Sequence, residues 1–340
     1  MNKMNRIVSE TSERQSLLRK MIAYRGTTVF LVIVVIAVIL TSVSPYFLGS
    51  ANLSTTALGL SSDGIMAIGM CLVLLTGGID LSVGSVMAAS MVIAGTLFLK
   101  SGMNIWVASL IALVYAGICG LINGLFIGKV GLNAMITTLG VMNMSRGVGY
   151  VVSQGSPVSL PEPGEAFTFL GAGNLFGIPT FVIILAILAT IAALLLNNAG
   201  FMRKIYYTGS NQKAALLSGI NTSNVKLGVH IASALLAGLA GVISLSRFKV
   251  ATPNAGLGSE MRVISACIIG GTSLTGGEGS ILGAVLGIVM LNLINNGLVL
   301  LSVSVYWQDL ISGAILLLAV SIDFLSQQRK QKARIQLSKA

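Results

Sequence analysis

Charge is what this 340-residue sequence has least of. Ten Asp and Glu with 21 Lys and Arg make up 9% of the chain, against 54% hydrophobic residues, and the mean hydropathy is +0.90. A soluble chain carries about a quarter charged residues. Too little polar surface is left here to cover a core, which excludes a cytosolic enzyme, a disordered chain and, despite the net +11, a nucleic-acid-binding protein. Histidine occurs once, at His230, with no ligand partners near it, and it is assigned no chemistry. Cys71, Cys119 and Cys267 each stand alone in apolar stretches, where core packing explains them better than a disulfide or a metal. No His/Asp/Ser or metal constellation for an intramembrane enzyme is present. The phosphate-cradling pattern G-x-x-x-x-G-K-[ST] is also missing, so the chain is not expected to bind ATP or another cofactor itself.

What the sequence has is long uncharged runs, at 26–62, 81–99, 101–128, 166–202 and 279–308. About 20 apolar residues cross a bilayer as a helix. Lipid offers backbone groups no partners, so a crossing segment is a helix or part of a closed barrel. Val29–Leu40 is continuously apolar rather than alternating, which excludes the barrel. The pattern predicts an all-α polytopic helical bundle of about ten transmembrane helices, over 27–44, 60–78, 81–99, 105–128, 132–152, 178–197, 227–245, 260–276, 280–301 and 306–325. The 40 glycines suit close helix contacts and broken helices. Nothing resembling a cleavage site follows the first run, so it reads as an uncleaved anchor.

Lys and Arg set the expected orientation. Lys3, Arg6, Arg14, Arg19, Lys20 and Arg25 precede the first span, and Arg329, Lys330, Lys332, Arg334 and Lys339 follow the last. These are the basic tails 1–25 and 326–340, flanking a transmembrane domain over 26–325, and both are expected in the cytoplasm. Segment 198–226 carries Arg203, Lys204, Lys213 and Lys226 and joins them, whereas 153–177, with Glu162 and Glu165, lies outside. Ten spans satisfy all four placements. Arg247 and Lys249, on the outer side, disagree mildly.

Two polar breaks interrupt the apolar pattern. One is Thr76-Gly-Gly-Ile-Asp-Leu-Ser-Val-Gly-Ser85 and the other Gly270-Gly-Thr-Ser-Leu-Thr-Gly-Gly-Glu-Gly-Ser280. Gly77-Gly78 aligns with Gly270-Gly271, which suggests an internal parallel repeat. Broken helices expose free N–H groups, which makes Asp80, Ser82, Ser85, Thr272 and Ser273 candidates for a translocation path. Asp80 reads first as the N-cap of a helix starting at Leu81 and second as a substrate contact. Arg146, deep in a span, has to face protein or water unless it snorkels outward; a structural or gating role is the first reading. Asn123, Asn143, Asn292, Asn295 and Asn296 either line the path or tie helices together. In 209–220 a short helix is expected, with Ala214, Leu217 and Ile220 on an apolar face, suited to a partner protein or to the membrane surface.

In the residues from about 60 to 325 the sequence resembles the ribose-type permease subunits of bacterial sugar-uptake ABC transporters. The resemblance rests on TGGIDLSVGS (76–85), GSNQKAALLSGI (209–220) and GGTSLTGGEGS (270–280) with the following ILGAVLG. Thr138-Leu-Gly, Arg146-Gly147 and Asn295-Asn-Gly-Leu298 add to it. It implies a pore in the inner membrane, an ABC ATPase subunit inside, a periplasmic sugar-binding protein outside and a second permease chain, identical or similar. It also implies that Gly209, Asn211, Ala214, Ala215 and Gly219 belong to a helix that couples to the ATPase. Gln212-Lys213, Arg262 and Glu278 depart from the family's usual charges. The rival reading is an ion-coupled secondary transporter, for which Asp80 is the main candidate acid, with Asp63, Glu260 and Asp309 near span ends.

Overall fold

The computed structural model describes residues 25–304 and parts of 307–328. The basic tails and much of the expected last span, 306–325, lie outside the described residues. The elements are helices α1 (Arg25–Val43), α2 (Ser50–Gly59), α3 (Ser61–Leu75), α4 (Val83–Ser101), α5 (Ile105–Leu125) and α6 (Ala134–Ser153). They continue with α7 (Glu165–Ala172), α8 (Thr180–Asn198), α9 (Gly200–Ser210), α10 (Gln212–Leu217), α11 (Thr222–Phe248), α12 (Ser259–Ile269) and α13 (Ile281–Leu300). Four two-residue strands pair as β1 (Val158–Ser159) with β4 (Val250–Ala251) and β2 (Asn174–Leu175) with β3 (Ile178–Pro179).

Among the described residues, six helical stretches are long and apolar enough to cross a membrane: 50–75, 83–101, 105–130, 180–198, 222–248 and 281–300. The chain is a helical membrane bundle, as its composition requires. Two expected spans look different. The one placed at 260–276 is an eleven-residue helix, α12, followed by irregular chain; at about 1.5 Å per residue it covers half a bilayer. The one placed at 60–78 starts earlier, at Ser50, and stops at Leu75.

The bundle is built around α11, which packs against α3, α4, α5 and α7. The middle of its inward face is small, with Ser233, Ala234, Ala237, Gly238, Ala240 and Gly241 all buried. The facing stripe on α5 and the π-helical turn Phe126–Val130 repeats every fourth residue as Ala116, Gly120, Gly124 and Gly128. A Cβ on Gly120 would stand 2.7 Å from the His230 carbonyl and the Ile231 Cα, and one on Gly124 would stand 2.8 Å from the Leu227 Cα. The seam is backbone on backbone. Van der Waals contact supplies the attraction there, because lipid gives no hydrophobic drive between helices.

Segment 153–177 folds back over the end of α11. Ser246 Oγ accepts from the Gly171 N–H at 2.8 Å and donates to the Phe167 carbonyl at 2.5 Å, and the Leu160 N–H donates to the Lys249 carbonyl at 2.7 Å. Arg247 and Lys249 therefore share a side with 153–177. The Arg247 guanidinium lies 4.6 Å from the Phe248 ring centre.

The seam predicts a contrast between neighbouring glycines. Gly120→Leu forces α5 off α11 and destabilises the chain by about 1–3 kcal/mol. Gly117→Ala meets only Leu235 at 3.5 Å and removes a helix-interior glycine, so it is neutral or stabilising by about 0.5–1 kcal/mol. Thermal unfolding in detergent should order the three proteins as Gly120→Leu, wild type, Gly117→Ala; equal melting points would mean the seam is loose.

Candidate functional site

Both polar breaks begin with the same piece of chain geometry. After α3, the Gly77 and Gly78 N–H groups donate to the carbonyls of Leu74 and Val73; after α12, those of Gly271 and Thr272 donate to Ile268 and Cys267. Gly77 (φ +78°) and Gly271 (φ +93°) take the left-handed position that this helix ending requires. The two endings therefore superpose as Gly77 on Gly271, one residue away from the register read in the sequence.

The first break then climbs back into the bundle. Asp80 is fully buried, and α4 starts at Val83, two residues later than expected. Instead of capping a helix at Leu81, the Asp80 carboxylate gathers donors. Its Oδ1 accepts from the Ser82 N–H at 3.0 Å and from Ser82 Oγ at 2.5 Å; its Oδ2 accepts from Ser233 Oγ of α11 at 3.0 Å. Asn123 of α5 donates to Ser82 Oγ at 3.0 Å, and Thr138 of α6 accepts from the Leu81 N–H at 3.1 Å. Asp80, Ser82 and Asn123 form one knot joining the break to three helices. Ser85 is buried in the first turn of α4.

The second break joins the first at its inner end. Thr272 and Ser273 are buried. Thr272 Oγ1 lies 3.6 Å from Cys71 Sγ of α3, and the Ser273 N–H donates to the Glu278 carbonyl at 2.8 Å. The Gly277 N–H donates to the Leu75 carbonyl at 2.9 Å, and the Tyr206 hydroxyl donates to the Gly279 carbonyl at 2.9 Å. A Cβ on Gly276 would come within 2.7 Å of Gly77 N and 2.9 Å of Gly209 Cα, and one on Gly209 would overlap the Leu75 carbonyl. Gly77, Gly209, Gly276 and Gly277 thus meet at one point, where the end of α9 is wedged against both breaks.

The rest of the 209–220 motif is exposed. Asn211 caps α10, accepting from the Ala214 N–H at 3.0 Å. Ala214, Leu216 and Leu217 face outward, Leu217 at 91% exposure, while Ala215 is buried. The expected apolar face of Ala214, Leu217 and Ile220 is therefore not the one packed inward. Gly219 (φ +78°) turns the chain towards α11 in open space. Gln212 binds back within the chain, accepting from Lys226 Nζ at 3.0 Å. Sequence reading missed α9, whose buried Ile205 and Thr208 alternate with exposed Phe201, Arg203 and Lys204.

Arg146 does not reach for the surface. Its Nη1 donates to the carbonyls of Pro253 and Ala255, at 2.6 and 2.8 Å, and Tyr150 donates to Asn254 at 2.5 Å, so α6 clamps the loop ahead of α12. Asn143 points the other way and is exposed. Beyond the clamp lies a cavity of about 800 Å³ lined from α2, α3, α4, α11, α12 and α13, with Asn292, Asn295 and Asn296 on one wall and Asp63 and Arg262 on another. Asp63 Oδ2 accepts from Arg262 Nε at 3.0 Å. Sequence reading weighed Asp63 only as an ion-coupling acid; no periodicity joins it to a residue so far along the chain.

The family described as "Branched-chain amino acid transport system / permease component" matches residues 52–320. This chain belongs to that family. Among similar proteins, the ribose import permease protein RbsC of Escherichia coli (strain K12) is 40% identical over 293 residues, covering 86% of this chain and 91% of that one. RbsC of Bacillus subtilis (strain 168) is 36% identical with the same coverage, and the L-arabinose transport system permease protein AraH of Escherichia coli (strain K12) is 35% identical over 84% of this chain and 87% of its own. No solved structure matches. The chain is a multi-pass inner-membrane permease, a transport component and not an enzyme.

The Asp80 knot predicts a graded loss of stability. Asp80→Ala strands three donors and costs about 2–4 kcal/mol, whereas Ser233→Ala removes one and costs about 1 kcal/mol. Asp80→Asn should fall between them in detergent melting. An Asp80→Ala protein that melts like wild type would show that the carboxylate holds nothing together.

Proposed function

We propose that this chain is the membrane subunit of an ATP-driven, binding-protein-dependent sugar importer. The observation that carries the reading is the glycine junction: the cytoplasmic segment bearing α9 and α10 touches both broken helices directly. A push on α10 reaches the breaks through backbone contacts, with no flexible side chain between to absorb it. Family membership and relatives named for ribose and arabinose import support the choice of driver and solute.

In this reading α10 docks on a separate ABC ATPase, with Leu217 and Leu216 as its apolar contacts, Asn211 and Gly219 setting its ends, Ala214 beside the contact and Ala215 anchoring it from beneath. Gly209 passes the movement on to Gly77, Gly276 and Gly277. The fold has ten spans, counting α6, the α12 half-helix and a last span near 306–325, with 153–177 in the periplasm and 1–25, 198–226 and 326–340 in the cytoplasm. The two Gly-ended breaks are halves of a parallel repeat. A second permease chain completes the pore, a periplasmic sugar-binding protein delivers the solute, and the chain holds no cofactor. Thr272 and Ser273 move with the inner break, Ser85 with the start of α4, while Arg146 positions the outer loop. Asn143, exposed on α6, faces the second chain across the path. The three donors already on Asp80 disfavour an ion-coupled mechanism, because a coupling carboxylate has to exchange its partners during the cycle.

Purification from its native membrane should bring down an ATPase with the wild-type chain, and Leu217→Glu should lose it while melting normally. Gly209→Ala should keep the ATPase yet uncouple it, leaving hydrolysis in place and reducing sugar uptake in proteoliposomes at least about tenfold, the effect of about 1.4 kcal/mol of lost coupling. An intact chain that recruits no ATPase, with uptake following an ion gradient, would overturn the proposal.

A further inference from the structure

We infer that the cavity between α3, α12 and α13 is a binding site for an uncharged polyol, read by Asp63, Arg262, Asn295 and Thr56. This rests on the importer reading and names the site at which the chain itself meets the solute. At about 800 Å³ the cavity is within the range of small-molecule sites. The argument turns on which polar groups in its wall are already used.

Of the three amides on α13, two are spent on holding helices. Asn292 donates to the Thr56 carbonyl at 2.8 Å, and Asn296 and Asn52 exchange reciprocal hydrogen bonds at 2.7 and 3.1 Å, tying α13 to α2. Asn295, on the same wall, has no hydrogen-bond partner among the described residues and keeps both ends of its amide free. Opposite, the Asp63–Arg262 pair uses only part of its capacity. Asp63 engages Oδ2 and Arg262 engages Nε, with Nη2 given to Ser259 at 2.6 Å. Asp63 Oδ1 and Arg262 Nη1 remain available, and the pair is partly exposed to the cavity, at 17% and 35%. Thr56 Oγ1 is a buried hydroxyl without a partner.

The free set therefore holds acceptors and donors side by side: a carboxylate oxygen, a guanidinium N–H, an amide offering both and a hydroxyl offering both. Sugar hydroxyls likewise donate and accept at one atom, so a polyol satisfies this set. Asp63 and Arg262 neutralise one another, so no unpaired acid lines the cavity to hold a cation, and Arg247, the other charged group in its wall, lies against the Phe248 ring. Met87, Met91 and Phe248 supply the apolar surface against which C–H faces pack. Each group left unpaired in an empty site is one that a wrong solute fails to satisfy, which gives discrimination without tight binding.

The test uses the native cysteines. Cys71, Cys119 and Cys267 are buried, so a thiol introduced as Asn295→Cys is the accessible one. In proteoliposomes containing the permease, its ATPase and its binding protein, a membrane-impermeant methanethiosulfonate should label that thiol. D-ribose or L-arabinose at millimolar concentration should slow the labelling several-fold, and ribose 5-phosphate should not. Asn295→Leu should reduce uptake of whichever pentose protects by about tenfold, the effect of one unmade hydrogen bond of about 1.4 kcal/mol, and Asn295→Gln should restore part of it. Labelling that no neutral sugar slows, with uptake and ATPase activity intact, would overturn the polyol site and leave the importer standing. Protection by the phosphate ester alone would overturn the uncharged ligand. A thiol that no reagent reaches in a melting-competent protein would overturn the site altogether. Absence of ATP-driven uptake in the wild type would instead be the failure of the importer reading.

Discussion

A backbone that stops being helical inside a membrane protein has to find its hydrogen bonds within the protein, because lipid offers none. The two breaks, 76–82 and 270–280, each release several N–H and C=O groups in the interior, and the surrounding structure is arranged to meet them. The left-handed glycines close the ends of α3 and α12 on themselves. Asp80 and Thr138 take the next N–H groups, Tyr206 takes a carbonyl of the second break, and Leu75 takes the Gly277 N–H. At Asp80 and Thr138, which are buried, removing the acceptor strands a polar group away from water.

That requirement explains why the small residues stand where they do. A carbonyl can be met by another chain's backbone only if the two approach to within hydrogen-bonding distance, and a Cβ in between prevents it. At Gly209, Gly276 and Gly277 the same absence of side chains that permits the bonds also makes the contact stiff. The residues of α10 beyond this point are mostly exposed, and the α5–α11 seam is another place where backbones pack directly.

The region around the cavity follows a different logic. There the polar groups are fewer than fully paired, and they line an open space rather than a seam. Arg146 and Tyr150 hold the loop ahead of α12, which sets the position of Arg262 against Asp63. The Asp80 carboxylate spends both its oxygens on three donors, whereas the cavity wall keeps several polar groups unspent.

Composition and periodicity alone determined that the chain is a helical membrane protein, since hydrophobicity and helix length are local quantities. They also located both breaks, because clusters of Gly with Asp, Ser and Thr interrupt the apolar runs, and the motifs around them were enough to suggest a permease. Ser50–Leu75 and the half-length α12 were misjudged at their ends, where the last turn of a helix depends on what its carbonyls meet. Asp80 reads as a cap because a cap needs only the next three residues, and it does hold the Ser82 N–H and hydroxyl two residues on; the Ser233 bond and the Asn123 link to Ser82 come from helices further along the chain. The pairing of Asp63 with Arg262, the spending of Asn292 and Asn296 but not Asn295, and the meeting of Gly209 with both breaks were decided only by tertiary structure. Each is a contact between residues with no fixed spacing, set by how neighbouring helices pack, and one-dimensional pattern carries no record of it.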